Sequence, residues 1–307
     1  MGYPVASGTQ SQTGVYIPEI WSGKTLVKFY KSTVFGEIAN TDYEGEISEF
    51  GDTVNIRTIP DITIRDYDIN QSLNYERPHQ ANVTLTIDKG KYYAISVNDV
   101  EKKQIDIPYI EKWTDDAGEQ MAITIDSDVL SNVYADANAS NQGATAGVNS
   151  SSINLGVSGT PLEVDKTNIL DTIVDMGTVL DEQNVPQTGR WLILPPTFCG
   201  MIKKSDLKDA SLAGDGTSIM RNGRIGIIDR FTIYMSNNLA TTTDGSDTVQ
   251  NCIAGHPSAI TFASQLVKNE VIDNPDDFGQ LMRGLQVYGY KVLKSEALIW
   301  LYAKKAA

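Results

Sequence analysis

Histidine and cysteine are scarce in this chain, with only His79, His256, Cys199 and Cys252 in 307 residues. That scarcity removes most familiar chemistry at once. Two cysteines make neither a disulfide framework nor a zinc-binding spacing, and they fit a reduced, cytosolic setting. His256 precedes Pro257 beside an apolar strand, where packing or hydrogen bonding suits it better than a general-base role. No serine stands in a Gly-x-Ser-x-Gly elbow, and no Gly-x-x-x-x-Gly-Lys-[Ser/Thr] phosphate loop occurs. Gly214-Asp215-Gly216 lacks the lysine such a loop needs and reads as a turn-rich loop. Long apolar runs are missing too. The longest, Ala297 to Ala303, falls far short of the roughly 20 residues of a membrane span, so no membrane contact is expected. The stretch from Met1 to Ser7 has neither the basic nor the apolar region of a signal peptide, and Ala6 stands where a myristoylation motif wants Ser or Thr.

Acidic residues, by contrast, are plentiful: 39 against 25 basic ones, for a net charge of −14. Proteins that grip nucleic acid concentrate Lys and Arg, so dedicated DNA binding is not expected. Basic and aromatic residues do not interleave in any segment either. Many carboxylate pairs are available for hydrolysis, but nothing singles one out. Asp66-Tyr67-Asp68-Ile69-Asn70 copies the first three ligand positions of a calcium loop. Gln71 then stands where that loop needs Gly, and Arg77 where it needs a bidentate Glu. A solvated acidic loop is the better reading. Asp273-Asn274-Pro275-Asp276-Asp277 is explained by turn chemistry, with a surface cation as the alternative. The residues therefore point to no catalytic group, no cofactor and no metal, hence to a non-enzyme.

Hydrophobic content of 41% with 21% charged residues is that of a globular chain, long enough for one large domain or two modest ones. Residues 1 to about 14, rich in Gly, Ser, Thr and Gln, read as a flexible arm. Lys24 to Val34 is read as a short helix carrying Leu26, Val27, Tyr30 and Val34 inward, with Lys24, Lys28 and Lys31 as a solvated basic stripe. Alternation predicts strands at Gly51–Ile59, Val83–Ile87 and, after a Lys89-Gly90-Lys91 turn, Tyr92–Val97. The polar stretch between the first two reads as a hairpin-like projection that cannot bury much against its own body. Its Ile62, Ile64, Ile69 and Leu73 are placed to meet a neighbouring subunit.

After Pro108, Ile110, Trp113, Ala117, Met121, Ile125, Val129 and Val133 recur at steps of three or four. That spacing predicts a helix from Tyr109 to about Ala135, roughly 40 Å long. Glu111, Asp115, Asp116, Glu119 and Asp128 fall on its opposite face. Ala137 to Gly159 reads as a loop or mobile segment and a domain boundary. Asp165 then caps a helix that buries Ile169, Ile173, Met176 and Leu180. Arg190–Leu194 is a central strand stopped by Pro195-Pro196, and Asp206 to Gly226 an exposed loop. Phe231–Ser236 is a strand, and Asn237 to Asn251 a polar excursion. Ala259–Phe262, Phe278–Tyr290 and Leu298–Ala303 are the final strands. The order argues for a mixed α+β fold without internal repeats.

The opening Tyr16-Ile17-Pro18-Glu19-Ile20-Trp21-Ser22, the strand–loop–strand block from Asp52 to Val97, the long helix, and the segments Ala259–Ala263 and Arg283–Gly289 follow one another in an order that resembles the major capsid proteins of tailed bacteriophages. The resemblance implies the Hong Kong 97-type capsid fold: an N-terminal arm, an extended β loop, a spine helix in a peripheral domain, and an axial domain. The implied division is 1–35 for the arm, 36–100 for the extended loop and peripheral strands, and 101–160 for the spine helix and linker. Residues 161–270 would be mainly axial domain, and 271–307 C-terminal strands returning to the peripheral domain. It implies a homo-oligomer of hexamers and pentamers, an icosahedral shell around weakly contacted double-stranded DNA, a portal, and assembly in the host bacterial cytoplasm into the virion. Tyr16, Ile17, Trp21, Ile62, Ile64, Tyr67, Ile69, Leu73 and Tyr75 become the subunit-interface candidates.

Two departures stand out. Some relatives weld neighbours through a Lys on the extended loop, but no Lys occurs from Ser32 to Asp88, so non-covalent contacts are expected to hold the shell. Only about 15 residues precede Tyr16, so a scaffolding segment is expected as a separate protein or already removed. An encapsulin-like compartment shares the implied fold and is the alternative; an α+β hydrolase is a distant one.

Overall fold

The computed structural model describes residues 31, 33–42, 53–57, 60, 62–78, 82–104, 109–205, 226–275 and 277–306. The described part of the chain begins with helix α1 (Phe35–Ile38), strands β1 (Thr53–Arg57), β2 (Asn82–Thr86) and β3 (Lys89–Asn98), and helices α2 (Asp99–Gln104) and α3 (Tyr109–Asn132). The second half adds β4 (Leu162–Val164), α4 (Ile169–Glu182), β5 (Arg190–Leu194), α5 (Pro196–Lys204), β6 (Ile227–Ile228) and β7 (Phe231–Met235). It closes with β8 (Thr241–Asp244), β9 (Asp247–Gly255), β10 (Ile260–Asp273), β11 (Gly279–Val292) and β12 (Leu298–Lys305).

The unbroken apolar run of β5 is buried along its whole length because it lies inside a seven-stranded mixed sheet of order β4-β12-β9-β5-β7-β6, with β8 on β9. β5 runs parallel to β7 and antiparallel to β9. Helix α4 packs the expected stripe, Ile169, Ile173, Met176 and Leu180, into the core. Asp165 holds the turn before it, accepting from Thr167 N (2.7 Å) and Asn168 N (3.0 Å), while Asn168 occupies the cap position itself. The one charge in β5 is satisfied on every side. Arg190 is fully buried and donates to Asp181 Oδ1 (2.6 Å) and to the carbonyls of Val185 (2.7 Å), Pro186 (2.9 Å) and Gly177 (3.3 Å). It pins the end of α4 to the sheet.

A second, three-stranded antiparallel sheet has the order β10-β11-β3. Lys89, Gly90 and Lys91 are strand residues here, paired with Tyr288, Val287 and Gln286, and only Ile87 and Asp88 separate β3 from β2. Helix α3 packs beside this sheet with the predicted seam, though only its C-terminal half is buried. Ile125, Val129 and Val133 are in the core, whereas Trp113 is 43% exposed. Asp128, assigned by periodicity to the solvent face, instead clamps helix to sheet. It accepts from Lys89 Nζ (3.1 Å) and the Tyr288 hydroxyl (2.8 Å). One continuous core joins α3, Phe262 and Tyr288 to the seven-stranded sheet.

Several expectations change. The 24–30 part of the proposed early helix lies outside the described residues; Lys31, Thr33 and Val34 are not helical, and a single turn follows at α1. Ala137 to Gly159 is irregular yet packed: Ala146 and Leu155 are buried, and Asn141 Nδ2 donates to the carbonyls of Glu296 (2.7 Å) and Leu298 (2.9 Å). Pro195-Pro196 ends β5 but also starts α5, since proline suits the first turn of a helix. The polar excursion 237–251 holds the β8–β9 hairpin. Of the stretch 271–307, β11 and the end of β10 join the three-stranded sheet, whereas β12 pairs with β9 and β4 in the seven-stranded one. The Asp206–Gly226 loop lies outside the described residues but for its last glycine.

Candidate assembly surface

The projection is rooted before it is exposed. β1 and β2 pair in register from Thr53–Thr86 to Arg57–Asn82. Alternation turns Ile56 and Leu85 to the same side, where they form a small second core with Ile87, Ala263 and Val287. The ribbon thereby sits on β10 and β11. Gly289 permits the approach, because a Cβ there would overlap the carbonyl oxygen of Thr86 and lie 3.0 Å from Ile87 Cα.

Beyond the ribbon, every residue from 62 to 78 is exposed. Ile64 is 89% exposed, Ile69 and Tyr75 each 86%, and Ile62, Tyr67 and Leu73 all more than half exposed. Six large apolar side chains thus stand exposed on one loop, more than on any other segment among the described residues. Burying each is worth about 1.5–3 kcal/mol. The two arms of the loop are tied polar to polar: Thr63 N–H donates to Glu76 Oε1 (2.7 Å), and Arg65 lies 3.6 Å from the same carboxylate. The Thr63 bond and the Arg65 charge hold the Glu76 carboxyl below the usual range. At the tip, Gln71 N–H donates to the Asp68 carbonyl (3.1 Å), Gln71 Oε1 accepts from Asp68 N–H (3.0 Å), and Asn70 has φ 68°. The calcium-like string is thus a turn.

Six of the nine interface candidates, Ile62, Ile64, Tyr67, Ile69, Leu73 and Tyr75, come together on this loop; Tyr16, Ile17 and Trp21 lie outside the described residues. Further exposed apolar groups escaped the sequence reading. On the three-stranded sheet Tyr92, Ala94 and Leu285 line a shallow groove rimmed by Lys268 and Arg283, both paired with Glu270. Phe278, 83% exposed, stands at the tip of the β10–β11 hairpin. Strand alternation gave a signal for Tyr92, since Tyr93 on the opposite face packs on Gly284 and donates to Asn269 (2.9 Å).

Of the histidines and cysteines, His79 lies outside the described residues, and the other three are partly or fully buried. His256 Nδ1 is 2.9 Å from Ser258 Oγ, and burial lowers its pKa. Cys199 and Cys252 are buried free thiols, and burial pushes Cys199 up to about 11. Among the described residues no group of three or more His, Cys, Asp or Glu could hold a metal ion, and no helix is long and apolar enough to cross a membrane.

A family model described as phage capsid protein matches residues 81–301. No curated protein matches the chain. A solved structure from Mycobacterium phage Che8 is similar at 27% identity with a TM-score of 0.76, over 93% of this chain and 96% of that one. The capsid structure of Cyanophage P-SCSP1u is similar at 17% identity and TM-score 0.69, over 95% and 94%. The mature capsid of bacteriophage PhiM1 is similar at 14% identity and TM-score 0.69, over 94% and 93%. At these last two identities the likeness is one of fold.

Proposed function

This chain belongs to the phage capsid protein family and is a major capsid protein, with the α+β Hong Kong 97-type fold, that forms the shell of the virion; from that premise we propose that it assembles as hexamers and pentamers into an icosahedral shell around double-stranded DNA. Its role is structural, not catalytic. The three-stranded sheet with α3 is the peripheral domain, and the seven-stranded sheet with α4 and α5 the axial domain. The exposed apolar loop supports this reading most directly: Ile62, Ile64, Tyr67, Ile69, Leu73 and Tyr75 of one copy are covered by the next, with Tyr16, Ile17 and Trp21 of the arm as further contacts. With no Lys from Ser32 to Asp88 to weld neighbours, burial of these side chains holds the subunits together. The surplus of 39 acidic over 25 basic residues opposes assembly and keeps contact with packaged DNA weak, so salt or divalent ions promote closure. Scaffolding and portal proteins are separate partners, and assembly takes place in the host bacterial cytoplasm.

Light-scattering mass across a salt series, with negative-stain images of the fractions, tests the proposal. Rings of five and six and closed shells that increase with salt are expected. A monomer of 33.6 kDa at every salt and concentration, with scaffold supplied, contradicts it.

A further inference from the structure

Asp126 is fully buried on α3, and the partners that meet its carboxylate come from two distant parts of the chain. Oδ1 accepts from the backbone N–H groups of Val34 and Phe35, each at 2.9 Å and more than ninety residues away. Oδ2 accepts from Asn238 Nδ2 at 2.5 Å, in the loop between β7 and β8. Asn238 is itself set by the Ser236 hydroxyl, which accepts from its N–H (3.1 Å). A buried carboxylate persists only when donors surround it, and here they belong to the chain entering the fold and to the seven-stranded sheet.

The segment that follows is stitched at its other end. α1 is one turn long, and Val34 at its cap position makes no side-chain cap bond, so Asp126 supplies the cap from another element. The Phe35 ring lies 4.7 Å from Phe262, and Ile38 is fully buried. Asn40 N–H then donates to the Ile260 carbonyl (2.8 Å), and its own carbonyl accepts from Phe262 N–H (2.9 Å) and the Thr261 hydroxyl (3.2 Å). Residues 34–40 therefore run from α3 to the first residues of β10. They lie between the arm and β1, the root of the apolar loop.

We infer that residues 34–40 are a clasp, closed by Asp126 as a positioning residue, that fixes the chain to the body ahead of the extended loop. The clasp ties three parts together: α3, the β7–β8 loop of the seven-stranded sheet, and the leading end of β10. A single side chain thus sets the point from which the chain goes on to the extended loop. The inference concerns the isolated subunit and does not depend on which surfaces neighbours cover.

Exchanging the two side chains tests it. In Asp126→Asn the charge is gone and, as the side chains stand, an N–H2 is turned toward donors, opening the clasp. The double variant combines Asp126→Asn with Asn238→Asp. There the amide oxygen introduced at position 126 again accepts from Val34 and Phe35, and its nitrogen donates to the carboxylate introduced at position 238. Amide hydrogen exchange is followed in a peptide covering 33–42 and in one covering β5. The single variant is expected to speed exchange in 33–42 about tenfold or more, with β5 unchanged, and the double variant to restore protection. If the single variant does not yield soluble protein, the double variant must still yield it with 33–42 protected. Unchanged protection in the single variant, equal loss in both peptides, or a double variant no better than the single would overturn the inference.

Discussion

Two glycines five residues apart on β11 should respond to alanine in opposite degree. At Gly289 the new Cβ would run into the Thr86 carbonyl and sit 3.0 Å from Ile87 Cα, all backbone atoms of the loop ribbon. Backbone does not swing aside, so the ribbon must retreat by about 1 Å to restore contact distance, breaking the seating of Leu85 and Ile87 on Val287. Such overpacking costs about 1–3 kcal/mol, or a fall in melting temperature of about 2–5 °C for a chain of this size. At Gly284 the clash is with the Tyr93 ring, a side chain that can rotate away and give up its hydrogen bond to Asn269. That change should cost about 1 kcal/mol or less, because the bond it breaks is exposed. Melting by circular dichroism ranks the two, and hydrogen exchange in β1 and β2 locates the damage, which Gly289→Ala alone should show. A neutral Gly289→Ala, or a Gly284→Ala that is the worse of the two, would refute the reasoning.

Two further outcomes follow from buried and capping charges. Arg190→Ala strands the carbonyls of Gly177, Val185 and Pro186 and removes an ion pair with a fully buried arginine, so a loss of about 3–5 kcal/mol is expected in denaturant titrations. Glu182 accepts from the N–H groups of Asn149 (2.8 Å) and Ser150 (3.2 Å), and the Asn149 bond first among several causes holds its carboxyl below the usual range. Its folded pKa lies below its unfolded value near 4.5, so its contribution is present above that pH and lost as pH falls through the folded value. Proteolysis within 147–152 should therefore rise at acid pH, and Glu182→Gln should show the same rise at neutral pH.

What was legible in the residues was whatever local spacing dictates. The three- and four-residue recurrence from Trp113 to Val133 announced α3, the solid run Arg190–Leu194 announced a strand buried on both faces, and a polar stretch studded with Ile and Tyr between two alternating segments announced the exposed loop. Two errors came from reading real signals too narrowly. Pro195-Pro196 stops a strand, yet proline also opens a helix, and Phe198, Cys199 and Ile202 behind it have helical spacing. Asp244-Gly245, with Gly245 at φ 62°, is a hairpin turn inside what looked like a featureless polar excursion. Other features had no local signal at all. Asp128 falls on the solvent face by periodicity, and nothing local marks Asp126; only the tertiary fold brings Val34, Asn238, Lys89 and Tyr288 to them. Gly289 looks like any strand glycine until Thr86 is laid across it.

The central claim is that the exposed loop joins one copy to the next, and replacing its three most exposed apolar residues tests it most directly. Ile64, Ile69 and Tyr75 touch little within the subunit, so Ile64→Ser, Ile69→Ser and Tyr75→Ser together should leave its folding intact. Sedimentation velocity under assembly conditions should show wild-type protein as rings and shells, and the triple variant as folded subunits with unchanged circular dichroism. A triple variant that builds shells as readily as wild type would contradict the account.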